Sequence, residues 1–253
     1  MFLSNPVLPI NENSQNQTVS WWGVDDEKSY DNNLKEHGNH LSNECFQNIT
    51  YTFNEYGYRT EPFKLIDWNN SILMFGCSMC FGAGLKYEHT IGEQLSTLVD
   101  SPIINLGING GSPYVQMLNS NLLLTYFQKN NIYPKAVIYL WPSLDRFPMF
   151  DNRIIYNMGP WSLNHNADHK QFMKYFSTND NMKIHNQFAI QLCINFLWKD
   201  IPVISGSFFK ETATLLGKEI LYNKDFARDM IHPGPISAKA AANYLANQLN
   251  LSS

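Results

Sequence analysis

Charge is scarce in this chain: 16% of its 253 residues are Asp, Glu, Lys or Arg, with 18 basic against 22 acidic side chains. A formal net charge of -4 and no run of Lys and Arg interleaved with aromatics leave no electrostatic track for nucleic acid, which is excluded as an expected partner. Cysteine is sparse too. Cys45, Cys77, Cys80 and Cys193 are too few to staple a chain of this length, so reduced thiols are expected rather than a disulfide framework. No apolar run reaches the roughly 20 residues that a membrane-spanning helix needs. The first fifteen residues lack a basic segment followed by an apolar core, because Asn5, Pro6, Pro9, Asn11 and Glu12 interrupt them. They do not read as a secretory signal, and the expectation is a cytoplasmic, soluble protein with no membrane partner. Internal repeats and low-complexity tracts are also missing.

What is present suffices for one sizeable core: 44% of residues are hydrophobic, and single α/β domains commonly reach this length. Residues 1 to about 45 are rich in Asn, Asp, Glu, Ser and Lys around Trp21 and Trp22. They read as an irregular arm that, with a half-buried strand at Thr50 to Phe53, forms a lead-in over residues 1–70. The body, 71–253, alternates short apolar runs with helical spacing. Ile72 to Phe75, Ile103 to Leu106, Ala136 to Trp141 and Pro202 to Ile204 read as buried strands. Glu88 to Val99, the stretch opened by Pro113, Ile184 to Trp198, and Ala238 to Leu249 read as helices. Such alternation implies right-handed βαβ crossovers, hence a three-layer α/β/α sandwich around a central parallel sheet of about five strands. Arg146 to Lys183 breaks the rhythm and is read as an insertion shaping the substrate side of the site.

In open parallel sheets the site forms at the carboxyl ends of the strands, and three segments there carry chemistry. Ser78 follows the first strand in Gly76-Cys77-Ser78-Met79-Cys80-Phe81-Gly82, a tight turn opening a helix, where a hydroxyl is exposed beside free backbone N–H groups. An N-cap serine is the structural alternative. Asp229-Met230-Ile231-His232-Pro233 precedes the last helix, and an Asp beside a His can orient the imidazole that takes a serine proton. A structural Asp at a helix entry is the competing explanation. Asn105-Leu106-Gly107-Ile108-Asn109-Gly110-Gly111 follows the second strand, and its glycines can turn N–H groups toward an oxyanion, or simply form a turn.

Taken together and in this order, the three segments resemble blocks I, II and V of the SGNH (GDSL-like) hydrolase superfamily, over about residues 71–250. The resemblance implies a flavodoxin-like fold in which Ser78 is the nucleophile, His232 the base and Asp229 the orienting acid. It also implies an oxyanion hole built from the N–H groups of Ser78 and Gly110. Tyr51 to Arg59 is similar to a lead-in segment before block I. Two departures stand out: Cys77 occupies the usual Asp position of block I, and Leu140-Trp141-Pro142-Ser143-Leu144-Asp145 replaces the Gly-x-Asn-Asp of block III. Ser143 falls on the missing asparagine and is the candidate third donor. Losing one such donor typically costs about a hundred-fold in rate.

The expected activity is that of a serine esterase or O-deacetylase on small acyl esters, acetylated carbohydrates among them, with Asn109 and Trp141 toward the substrate and no cofactor or metal. An acyltransferase and a lapsed carbohydrate-binding module are the alternatives. Three other patterns carry different chemistry. Cys77-Ser78-Met79-Cys80 has the spacing of a redox pair, and His165, Asp168 and His169 could be taken for a metal cluster. Trp141, Phe147, Phe150, Tyr156 and Trp161 form a possible aromatic mouth.

Overall fold

A computed structural model describes residues 15–151, 154–164, 167–218 and 220–252. In chain order it contains β1 (Thr18–Val19), α1 (Glu27–Leu41), β2 (Tyr51–Thr52), β3 (Ile72–Gly76), α2 (Ser78–Phe81), α3 (Ile91–Val99), β4 (Ile103–Gly107), α4 (Pro113–Asn130) and β5 (Ala136–Leu140). There follow β6 (Phe147–Asp151), β7 (Ile154–Met158), α5 (Ala167–Ser177), α6 (Asp180–Leu197), β8 (Val203–Gly206), α7 (Lys210–Leu215) and α8 (Pro235–Ser252).

The short apolar runs pair in parallel in the order β4-β3-β5-β8, with Ile72 opposite both Ile103 and Ala136. Every residue of β3, β4 and β5 is buried, as a sheet covered on both faces requires. The period-two alternation of a strand then sorts side chains between two layers. Leu73, Phe75, Val137 and Tyr139 meet Leu123, Phe127, Ile190 and Ile194 of α4 and α6. Ile72, Met74 and Ile138 meet Ile91, Leu95, Ala238, Ala242 and Leu245 of α3 and α8. The protein is therefore an α/β/α sandwich whose parallel sheet has, among the described residues, four strands rather than about five. Beyond β8, among the described residues, the sheet is extended by an isolated parallel bridge between Ser207 and Ile220. The apolar run there is just Ile220-Leu221-Tyr222, and Tyr222 is exposed, so it cannot be covered on both faces.

Two segments are more ordered than their composition suggested. The polar arm contains the fifteen-residue helix α1. Periodicity could not reveal it, because Leu41 is its one buried residue. Its start is fixed locally instead: Asp26 accepts hydrogen bonds from the Ser29 N–H at 2.9 Å and the Ser29 hydroxyl at 2.7 Å, satisfying a free donor of the first turn. The insertion holds the antiparallel hairpin β6–β7 and helix α5, closed by a small core in which Phe147 and Phe172 pack on Met158, Met173 and Phe176.

Candidate active site

The site starts from a close approach of backbones. Gly76 and Gly107 are register partners at the carboxyl ends of β3 and β4, and each leaves room for the turn that carries Ser78. A Cβ on Gly76 would lie 2.4 Å from Cys80 Cβ, and one on Gly107 2.5 Å from the Phe81 nitrogen. Asn105 staples the same contact: its amide donates to the Cys80 carbonyl at 2.9 Å and its oxygen accepts from the Gly107 N–H at 3.0 Å. Helix α2 is only four residues long and ends at Gly82 in the left-handed conformation, φ +80°. Arg59, which is buried, ties this end to its surroundings, donating to the carbonyls of Gly82 at 2.7 Å, Leu85 at 2.8 Å and Thr50 at 3.0 Å. Burial pushes this guanidinium down to about 10, so hydrogen bonds to carbonyls, rather than a carboxylate, accommodate it.

The second half of the site is the loop before α8. Asp229 Oδ1 accepts the backbone N–H groups of Ile231 and His232, both at 3.0 Å, around Met230 at φ +58°. This side-chain turn folds the His232 ring back over the carboxylate. His232 Nδ1 lies 2.5 Å from Asp229 Oδ2, and His232 Nε2 lies 2.7 Å from Ser78 Oγ. All three residues are buried. Burial pushes the Asp229 carboxyl up, but the hydrogen bond and charge of His232 and the two N–H groups outweigh it, leaving Asp229 below its ordinary 3.8. An ionised carboxylate can only accept, so the Nδ1 nitrogen carries the proton and the Nε2 lone pair faces the serine hydroxyl.

What holds the loop against the serine turn is a closed ring of hydrogen bonds that the sequence reading did not find. Arg228 pairs with Asp25 of the arm, Nε to Oδ1 at 2.9 Å and Nη2 to Oδ2 at 2.5 Å. The Tyr51 hydroxyl donates to the same carboxylate at 2.5 Å and accepts the Gly84 N–H at 2.8 Å. Gly84 closes the ring by accepting the Arg228 N–H at 3.1 Å. Trp21 lies under the Arg228 guanidinium, 4.0 Å from its centre, and Asn33 of α1 donates to the Asp229 carbonyl at 3.2 Å. The available signal was an Arg next to the candidate Asp, but its partner stands 203 positions away.

Gly84 is the tightest point of this ring. Its φ is +71°, and a Cβ there would sit 2.8 Å from Ala227 Cβ and 3.2 Å from the Asp229 nitrogen. Gly84→Ala is expected to push the Asp229–His232 loop off Ser78. Ester turnover should fall by about a hundred-fold, the usual result of a misplacement near 1 Å, with roughly 1–2 kcal/mol of lost stability from the strained backbone. Steady-state kinetics beside urea unfolding would separate the two effects, and full turnover in the variant would refute this account of the loop.

The other expected site residues divide. Gly110 is at φ +70° and faces Trp161, whose ring carbon lies 3.2 Å from where its Cβ would be. Asn109 adjoins it, with its side-chain oxygen buried and unpartnered. Ser143 Oγ accepts from the Asp145 N–H at 3.3 Å and faces the Asp145 carboxylate at 3.4 Å, so it caps its own turn and would have to leave it to serve as a third donor. Trp141 is a core side chain, 3% exposed and stacked on Tyr139 at 5.0 Å; it follows β5 directly and continues its alternation into the α4 and α6 layer. Phe147 is half-buried against the small core of the insertion, and the side chains of Phe150 and Tyr156 lie outside the described residues. Cys77 and Cys80 are both buried. Burial raises the Cys80 thiol well above 9.0, the opposite of what a redox pair needs. His165 lies outside the described residues, and among those described no group of three or more His, Cys, Asp or Glu is arranged to hold a metal ion.

No family model and no curated protein matches the sequence. Solved structures are similar in fold at low identity, among them GDSL-like lipases, SGNH hydrolases and esterases. An acetyl xylan esterase from Butyrivibrio proteoclasticus is 12% identical, with a TM-score of 0.42, over 74% of this chain and 65% of that one. The chain thus spans just under two thirds of that esterase's length. A GDSL-like lipase from Bacteroides thetaiotaomicron is 12% identical, with a TM-score of 0.45, over 74% of this chain and 91% of that one. A carbohydrate acetylesterase from Sinorhizobium meliloti is 12% identical, with a TM-score of 0.38, over 73% of this chain and all (100%) of that one.

Proposed function

We propose that the protein is a serine esterase that removes small acyl groups, acetyl in the first instance, through an acyl-enzyme on Ser78. The observation that carries this reading is the continuous line from Asp229 Oδ2 through the His232 ring to Ser78 Oγ, at 2.5 and 2.7 Å. A hydroxyl is a weak nucleophile until a base takes its proton in the transition state. His232 Nε2 is within reach of that proton, and Asp229 stabilises the imidazolium that forms. Ser78 Oγ attacks the ester carbonyl, and the negatively charged tetrahedral oxygen accepts hydrogen bonds from the backbone N–H groups of Ser78 and Gly110. His232 then returns the proton to the leaving alcohol, and a water activated by the same nitrogen releases the acid. The acetylated carbohydrates named for two of the solved structures supply the first substrates to assay, since a fold does not choose its substrate.

A fluorophosphonate probe tests the reading directly, because it phosphonylates only an activated serine. The expected result is a single adduct on the peptide containing Ser78, absent in Ser78→Ala and strongly slowed in His232→Ala. An adduct on a different serine, or none, would remove the proposal.

A further inference from the structure

Among the described residues three arginines are buried, and two of them are held by short hydrogen bonds to carbonyls or a carboxylate. Arg59 has its carbonyls and Arg228 has Asp25, but Arg146, 8% exposed, has no carboxylate partner among the described residues. Its Nε is buried without an acceptor, as is that of Arg59, but whereas the Arg59 Nη atoms make contacts of 2.7 to 3.0 Å, Arg146 Nη1 makes a long contact of 3.5 Å to the Gly111 carbonyl. Its chain neighbour Asp145 does not neutralise it, being paired with Lys183 at 3.0 Å. The guanidinium is held between the rings of Trp161 and Phe209, 5.3 and 5.5 Å from their centres. Taking such a charge out of water without a counter-ion is costly, and ring faces offset only part of it.

The position of Arg146 says what the missing partner is for. Gly111 follows Gly110, the proposed oxyanion glycine, and Trp161 packs on Gly110 itself. Two further buried polar atoms near this glycine lack partners, Asn109 Oδ1 and Asn157 Oδ1, and Asn157 Cβ is 3.7 Å from the Gly110 Cβ position. A rigid cationic fork beside two acceptors fits a ligand carrying an anionic oxygen group together with hydroxyl donors. Resting on the esterase reading of Ser78, we propose that Arg146 is the specificity residue for an acidic group on the substrate, and that the substrate is an acyl ester of a hydroxylated acid such as an acidic sugar.

The test compares one sugar in two forms: an O-acetylated methyl glucuronoside as the free acid, and the same compound with its carboxylate masked as a methyl ester, following acetate release. A charged hydrogen bond is typically worth about tenfold or more, so kcat/KM should favour the free acid by about that factor. Arg146→Met should bring the ratio to near one, through KM, and Arg146→Lys should restore part of it. A wild-type ratio of one, or a preference untouched by Arg146→Met, overturns the inference. A second readout needs no turnover. Sodium glucuronate, but not glucose, should raise the Tm of Ser78→Ala protein, and the shift should vanish in Ser78→Ala/Arg146→Met. A shift with inorganic phosphate in place of glucuronate, dependent on Arg146, supports the anion site and identifies the group as a phosphate. If no ester is cleaved and the Arg146-dependent shift remains, the esterase reading fails and the anion site stands.

Discussion

Replacing Ser78 with Ala is expected to lower acetyl-ester hydrolysis by ~10⁴-fold or more, and Asp229→Asn by a comparable factor while the protein stays folded. The two losses have different origins. Ser78→Ala removes the attacking oxygen. Asp229→Asn keeps the shape of the loop but replaces a carboxylate, which can only accept, with an amide that can donate to Nδ1. The imidazole is then free to carry its proton on Nε2, which faces Ser78 Oγ at 2.7 Å, and loses its power as a base. Hydrolysis of p-nitrophenyl acetate with saturating enzyme would measure both, and an Asp229→Asn variant as fast as wild type would exclude the carboxylate from the reaction. The same residue gives a pH signature in stability. Because its folded carboxyl lies below the ordinary 3.8, Asp229 stabilises the fold above that value, and the contribution disappears as pH falls through the lower folded value. Urea midpoints of wild type should therefore drop in that acidic window by more than those of Asp229→Asn.

The largest expected effect on stability comes from Asp25. Substituting Asp25 with Ala leaves the Arg228 guanidinium, 4% exposed, without its carboxylate, and deprives the Tyr51 hydroxyl of its acceptor. Breaking one side of a buried ion pair typically destabilises by about 3–5 kcal/mol, because the surviving charge stays buried and uncompensated. Removing both charges together is less harmful. The double variant Asp25→Leu/Arg228→Met is expected to recover a large part of the loss, although its activity should stay low, since the loop carrying Asp229 and His232 no longer has its tie to the arm. Urea unfolding of the two single variants and the double would give the coupling energy. A loss under about 1 kcal/mol for Asp25→Ala would mean that the ring of hydrogen bonds contributes little.

How far the sequence could be read depended on whether a signal was local. Continuous apolar runs such as Ile72 to Phe75 announce strands covered on both faces, and Pro113 after Ser112 announces a helix start, because these patterns act within one element. The Asp229 turn is equally local: three residues suffice to bring its carboxylate to the His232 ring. Helix α1 was illegible for the opposite reason. It has almost no buried face, so its position rests on an N-cap and on contacts with a loop near the other end of the chain. Trp141 and Ser143 were settled by packing and local turn geometry instead: the continued alternation of β5 turns the indole into the core, and the Ser143 hydroxyl is engaged in its own turn.

The order of apolar runs and turn residues by itself determined a parallel α/β sandwich and the three segments that end its strands, since hydrophobic periodicity and glycine punctuation are properties of neighbouring residues. Only tertiary structure decided that Ser78 Oγ meets His232 Nε2, that Asp25 rather than a nearer acid neutralises Arg228, and that Arg146 has no carboxylate partner among the described residues. Pairing of charges and hydroxyls depends on distance and burial, which are set by how the layers pack, and no spacing along the chain encodes them.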